Sequence, residues 1–308
     1  MTRTRHRTRR GTSPAEVLIV VGIVGVVVLL ILMALPRSRE TARLATCEQN
    51  LMRIGQVLAY YDGATGHLPA IPAPGEAGRG PLSEILGQFG LGGLRDLDAL
   101  DAKALASRAK AARVESREHF VAEFVCPSDP HARSGQFAAP VSYRANAGPG
   151  TDGSGGPFAF GHPARMAQAE AEAGTEFTAA FAERRIGSGR GGQDPANDYH
   201  RLPGPIDPAG CPTGPAETWR GDAGSSWVAA DWTSTLYNHA MAPNAQPSCI
   251  AEDGRTARMG ASSTHAGRVN VLMLGGSVRG FSPTVAPEVW RKFGGLTAKD
   301  RAPTPAPG

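Results

Sequence analysis

The sequence contains no CxxC pair, no histidine at zinc-ligand spacing from a cysteine, and no HxxxH or HExxH pair. The linear signatures of a metal site are therefore missing. No GxSxG elbow accompanies Ser262, Ser263 and His265, which leaves a hydrolase without its nucleophile motif. His265 is better read as a hydrogen-bonding structural residue. The expectation is a protein that is not an enzyme and carries no cofactor and no metal.

Acid is missing from the first ten residues, which hold Arg3, Arg5, Arg7, Arg9 and Arg10. Taking these five from 32 basic residues leaves 27 against 28 acidic ones, a net of −1 in place of +4. The basic character belongs to the N-terminus, and no nucleic-acid partner is expected. The 39 glycines and 25 prolines predict a loop-rich but ordered head, because apolar runs recur between the breakers.

One motif is present without its context. Gly187-Ser188-Gly189-Arg190-Gly191-Gly192 matches GxGxxG, yet Gln193-Asp194-Pro195 follows where a dinucleotide site needs a helix to open. A flexible loop is the reading. Trp219, Trp227, Trp232 and Tyr237 lie close together in sequence. Core packing is the default for such a cluster, and an exposed platform for glycan or peptide is the alternative.

Residues 17–35 are all apolar or glycine. As a helix they would span about 28 Å, close to a hydrocarbon core of about 30 Å. With the arginines on the inner side, this predicts a single-pass inner-membrane protein with a cytoplasmic N-terminus and a periplasmic head. The run is too long for the apolar region of an ordinary cleaved signal. Glu16 at its edge wants a partner, because a carboxylate drawn into lipid costs up to ~3 kcal/mol.

Beyond Pro36, which bends the helix without ending it, Leu44, Leu51, Ile54, Val57, Leu58 and Tyr61 form an apolar stripe. It should end near Tyr61, before Asp62-Gly63 and Gly66. A short helix is expected over 81–89 and a longer charged one over 96–119. Residues 148–157 and 187–216 read as loops. Val269, Val271 and Met273 alternate with Asn270, Leu272 and Leu274 ahead of Gly275-Gly276, which predicts a hairpin with a type I′ turn.

Gly11-Thr12-Ser13-Pro14-Ala15-Glu16, after a short basic leader, resembles the type IV prepilin N-terminus. The resemblance implies that a peptidase cuts after Gly11 and methylates the amine of Thr12, and that Glu16 neutralises that amine on a neighbouring subunit. The family usually has phenylalanine where Thr12 stands. Cys47-Glu48-Gln49-Asn50-Leu51, Gly66-His67-Leu68-Pro69, Phe124-Val125-Cys126-Pro127-Ser128-Asp129, Val141-Ser142-Tyr143-Arg144-Ala145-Asn146 and Ser262-Ser263-Thr264-His265-Ala266-Gly267 resemble a more specific group. These are prepilin-like proteins of planctomycete-type bacteria, in which a large uncharacterised domain follows the pilin helix. That family usually carries aspartate where Gly275 stands.

The expected fold class is α+β: a pilin-like helix with a transmembrane first half, packed by its second half on an antiparallel sheet with helical and loop insertions. The expected divisions are a leader at 1–11, a helix at 12–61 with residues 17–35 in the membrane, a head at 62–301 and a tail at 302–308. The implied function is a pseudopilin-like structural subunit of a type II secretion or pilus-like machine. Its implied partners are the prepilin peptidase/methyltransferase, sister pseudopilins, the inner-membrane assembly platform and membrane lipid. The alternative is an envelope binding protein that uses the helix only as an anchor. Four cysteines outside the cytoplasm suggest two disulfides, with buried free thiols as the other reading. We expect Cys47–Cys126, tying helix to head, and Cys211–Cys249, closing a late loop.

Overall fold

In helix α1 (Pro14–Thr65) the apolar spacing beyond residue 43 buries Cys47, Leu51, Ile54 and Leu58 completely or nearly so, with Val57 and Tyr61 packed at the margin. Each of the aliphatic side chains contributes roughly 1.5–3 kcal/mol by leaving water. The helix continues past Pro36 and overshoots the expected stop at Tyr61. Gly66 ends it, at φ +78 with its N–H on Asp62 O at 2.7 Å. The fold is taken from a computed structural model that describes residues 14–74, 76, 78–90, 119–190, 194–212 and 214–301, with the side chains of residues 31–37 left aside. The chain forms two compact units, Met1–Arg43 and Leu44–Gly308.

The membrane reading needs correction. Among the described residues, no helix is long and apolar enough to cross a membrane. The transmembrane assignment of residues 17–35 and the single-pass inner-membrane placement with a periplasmic head therefore fall.

The second unit is α+β, but its sheets are mixed where one antiparallel sheet was expected. Its strands are β1 (Tyr143–Asn146), β2 (Ala179–Glu183), β3 (Tyr199–Leu202), β4 (Trp219–Arg220), β5 (Leu236–Tyr237), β6 (Ser248–Ala251), β7 (Ala257–Arg258), β8 (Val269–Met273) and β9 (Val278–Phe281). The first sheet runs β5-β1-β2-β8-β9 and the second β4-β3-β6-β7. Within them β1–β5 and β3–β6 are parallel. Parallel neighbours need long crossovers, and the long stretches between β1 and β5 and between β3 and β6 supply them. Strand β3 lies inside the region read as loop. Its buried Tyr199 and Leu202 acquire partners only when β4 and β6 arrive from later in the chain.

Both faces of the first sheet are covered, which is why β8 is buried along its whole length. Leu272 and Leu274 join the core under α1, together with Phe181, Phe124, Phe158 and Trp227. Val269, Val271 and Met273 pack on the opposite face with Ala182, Tyr237 and Trp290, the last from α4 (Pro287–Gly294). Between these helices lie the short α2 (Pro81–Glu84), where a helix over 81–89 was expected, and α3 (Met166–Glu172). Residues 86–89 form a separate 3₁₀ turn. The charged helix expected over 96–119 falls almost entirely outside the described residues, as do the leader and the tail.

The β8–β9 hairpin forms, but without a type I′ turn, since Gly276 has φ +91 and Gly275 is not in the left-handed region. Gly275 lies against the end of the Glu176 side chain. A Cβ there would sit 2.1 Å from Glu176 Oε1, and the Glu176 carboxylate accepts a hydrogen bond from Ser277 Oγ at 2.7 Å.

Cys47 is bonded to Cys126 and Cys211 to Cys249, the pairs expected. The second bond closes a span of 38 residues and joins a loop to β6. Chain entropy alone assigns such a bond roughly 4 kcal/mol. The double substitution Cys211→Ala/Cys249→Ala should lower the stability read from a urea unfolding curve by about that amount, without changing the far-ultraviolet spectrum at pH 7.

Candidate functional site

Four distant segments meet beneath the C-terminal part of α1. Cys47 comes from the helix, and Cys126 from the turn after a 3₁₀ segment (Ala122–Phe124), where Pro127 fixes the backbone and Asp129 N–H closes on Cys126 O at 3.0 Å. Glu183 ends β2, and His265 stands in the loop before β8. All four are buried, and one ligand atom from each lies within 4.8 Å of the others.

The contacts are close. His265 Nε2 is 3.4 Å from Cys126 Sγ and 3.3 Å from Glu183 Oε1. Asn270 holds the carboxylate from behind, donating its backbone N–H to Oε2 at 2.9 Å and its amide Nδ2 to Oε1 at 3.1 Å. Ser263 Oγ accepts the His265 backbone N–H at 3.2 Å. A buried carboxylate survives only when paired or well hydrogen-bonded, and Asn270 gives Glu183 two hydrogen bonds.

Asp129 borders the same place. It accepts from Ile186 N at 2.8 Å, His131 N at 2.9 Å and Ser142 Oγ at 3.4 Å. Burial pushes its carboxyl up, and these backbone hydrogen bonds oppose the rise. A cavity of about 10 Å³, the scale of one water molecule, lies between Cys126, Asp129, Glu183, Arg184 and Arg185.

The helix is fastened around this cluster. Asn50 Nδ2 donates to Val125 O and Tyr143 Oη at 3.3 Å each, and Arg268 meets Glu48 at 2.9 Å. Arg53 meets Glu123 at 3.1 Å, but the arginine is half exposed and the glutamate about a third, so solvent screens the pair and it adds little.

The other sequence candidates separate clearly. Gly11 and Thr12 lie outside the described residues, and Glu16 is exposed in the first turn of α1. In the glycine motif, Gly187 N–H is bonded to Ala223 O at 2.7 Å and Gly189 N–H to Gly221 O at 2.8 Å, so these amides already have partners. Gly191 and Gly192 are outside the described residues. Trp219, Trp227, Trp232 and Tyr237 are all buried, which settles the aromatic cluster as core. The head also carries a cleft of about 520 Å³ lined by Phe120, His131, Arg133, Phe137 and Pro140.

Glu183 is a site residue that no sequence motif singled out. Its signal was a lone carboxylate closing the apolar run Ala179-Ala180-Phe181-Ala182. Asn270 was read only as the polar alternate of a strand.

His239 has a structural environment. Its ring stacks on Trp290 at 3.9 Å, its Nδ1 meets Trp290 O at 2.8 Å and its Nε2 meets Tyr237 Oη at 3.0 Å. Complete burial pulls the imidazole down to about 3, against the opposing pull of the Trp290 carbonyl. The unfolded chain therefore takes up this proton first, near pH 6.5. The stability contributed by neutral His239 is complete above that pH and is lost as pH falls towards 3, a change on the order of 5 kcal/mol. His239→Gln should flatten the fall in urea midpoint between pH 7 and pH 4; an unchanged slope would assign the fall to other groups.

Residues 36–288 match the family described as "Protein of unknown function (DUF1559)". No curated protein and no solved structure gives a significant match. The match takes in the whole cluster of Cys47, Cys126, Glu183 and His265, and with most of its length covered, the chain belongs to this family.

Proposed function

We propose that the chain is a non-enzymatic, pseudopilin-like structural subunit that assembles with sister copies through the N-terminal part of α1. The carrying observation is the exposure of that part. The large apolar side chains of residues 17–30 are 47–72% exposed, from Val27 and Val28 at the lower bound to Leu18 at the upper. A helix apolar on all sides is unstable alone in water and calls for apolar surroundings. Copies of the same helix would bury these side chains against one another.

In this reading a prepilin peptidase cuts between Gly11 and Thr12. Glu16, in the first turn of α1, then meets the new amine of a neighbouring copy, a pairing that removes the desolvation problem of both charges. The two disulfides fit an oxidising compartment, where they brace a loop-rich head.

A second reading, a binding protein, rests on the cleft beside Phe120 and Phe137. Its size falls in the range of small-molecule sites, and Arg133 and His131 supply polar groups among apolar ones.

Mass spectrometry of the N-terminal peptide separates the two. A chain beginning at methylated Thr12, with Glu16→Ala abolishing cross-links between copies bearing cysteine at Val24, is the expected result. An intact leader, with no cross-link between copies, would sink the subunit reading and turn attention to the cleft.

A further inference from the structure

We propose that the Cys47–Cys126 disulfide is one of two states of a single buried site, and that the reduced state binds one zinc ion through Cys47 Sγ, Cys126 Sγ, His265 Nε2 and a Glu183 carboxylate oxygen. The ligand set is the kind that zinc takes, two thiolates, an imidazole and a carboxylate. The geometry is nearly assembled. Metal–ligand bonds of about 2.0–2.3 Å in a tetrahedron place ligand atoms about 3.3–3.8 Å apart. The measured separations of Nε2 from Cys126 Sγ and from Glu183 Oε1 are 3.4 and 3.3 Å, and all four ligand atoms lie within 4.8 Å of one another. Parting the two sulfurs is the main movement required.

The surroundings match those of a metal centre. Asn270 orients the Glu183 carboxylate through two hydrogen bonds, as outer partners of metal ligands do. In the disulfide state Nε2 carries the proton that faces Glu183 Oε1; on zinc binding the neutral ring takes the Nδ1–H tautomer, which leaves the Nε2 lone pair for the ion. Two thiolates, one carboxylate and a divalent cation sum to one negative charge, and Arg184 and Arg185 line the adjoining cavity. Sequence spacing conceals the set, since its members stand at 47, 126, 183 and 265.

The interconversion balances with a dithiol reductant. One reductant thiolate attacks a disulfide sulfur, the S–S bond breaks, and the second reductant thiol resolves the mixed disulfide. Two electrons pass to the protein, the reductant leaves as its own disulfide, and Cys47 and Cys126 become thiols. Zinc then replaces the two thiol protons, which go to solvent. The reverse exchange, in which the reductant's disulfide form takes the two electrons back, re-forms the Cys47–Cys126 bond and releases the ion by removing half of its ligands.

The test uses the full-length chain, divided into an oxidised portion and one reduced with a water-soluble phosphine. Both receive zinc sulfate and are desalted, and bound zinc is measured by elemental mass spectrometry. The reduced chain should hold about one zinc and the oxidised chain essentially none. Cobalt(II) in place of zinc should give a thiolate-to-metal charge-transfer band in the reduced chain. His265→Ala and Glu183→Gln should each weaken zinc binding at least ~10-fold, as should Asn270→Ala acting through the carboxylate. If His265→Ala fails to fold when oxidised, Glu183→Gln carries the test. Absence of zinc from the reduced chain, equal zinc in both portions, or unchanged binding in Glu183→Gln would overturn the proposal. So would a reduced chain that loses its near-ultraviolet spectrum and does not regain it with zinc.

Discussion

The seating of the C-terminal part of α1 on the first sheet is the constraint on which the rest of the second unit depends. Leu51, Ile54 and Leu58 enter the core that Leu272, Phe181 and Phe124 close from the other side. Gly55 allows the approach, since a Cβ there would come within 2.9 Å of Leu272 Cδ1. The disulfide from Cys47 to Cys126 then holds the helix to a segment 79 residues away. Non-directional burial supplies most of the stabilisation, while the covalent link and the Asn50 hydrogen bonds fix the register of the helix.

A sheet covered on both faces has a second consequence. Its polar side chains cannot reach water and must find partners inside. Glu183 finds His265 and Asn270, Asn146 donates to Ala179 O and Gly294 O, and Arg144 donates to Trp232 O. Burial lowers the Arg144 guanidinium well below its usual range, with nearby Arg184 adding to the fall and Asp231 opposing it. Such networks are costly when half satisfied, so they select one arrangement of the loops that supply the partners. The chemistry gathered around His265 is a product of the same demand.

At the hairpin turn the Glu176 carboxylate lies beside Gly275, in the space that a side chain there would take. That carboxylate comes from another part of the chain and is held by Ser277 and Arg279.

Local features were legible in the sequence. The apolar stripe from Leu51 to Tyr61, the β8–β9 alternation and the short turn of helix at Pro81 depend on neighbours within a few positions, where periodicity and turn chemistry operate. The helix end, read at Tyr61, moved to Thr65 because Gly66 alone supplies the left-handed stop. Longer-range matters belonged to the tertiary structure. Strand β3 was hidden in a glycine-rich stretch because its partners β4 and β6 come later. The parallel pairings were hidden because strand direction is set by crossovers, not by composition. The cluster at Cys47, Cys126, Glu183 and His265 was invisible because no two of its members are close in sequence. Sequence by itself determined the periodic and turn-bounded elements, such as the α1 stripe and the β8–β9 hairpin; folding alone decided which buried polar groups would meet, since desolvated charges must pair with whatever the packed chain brings within reach.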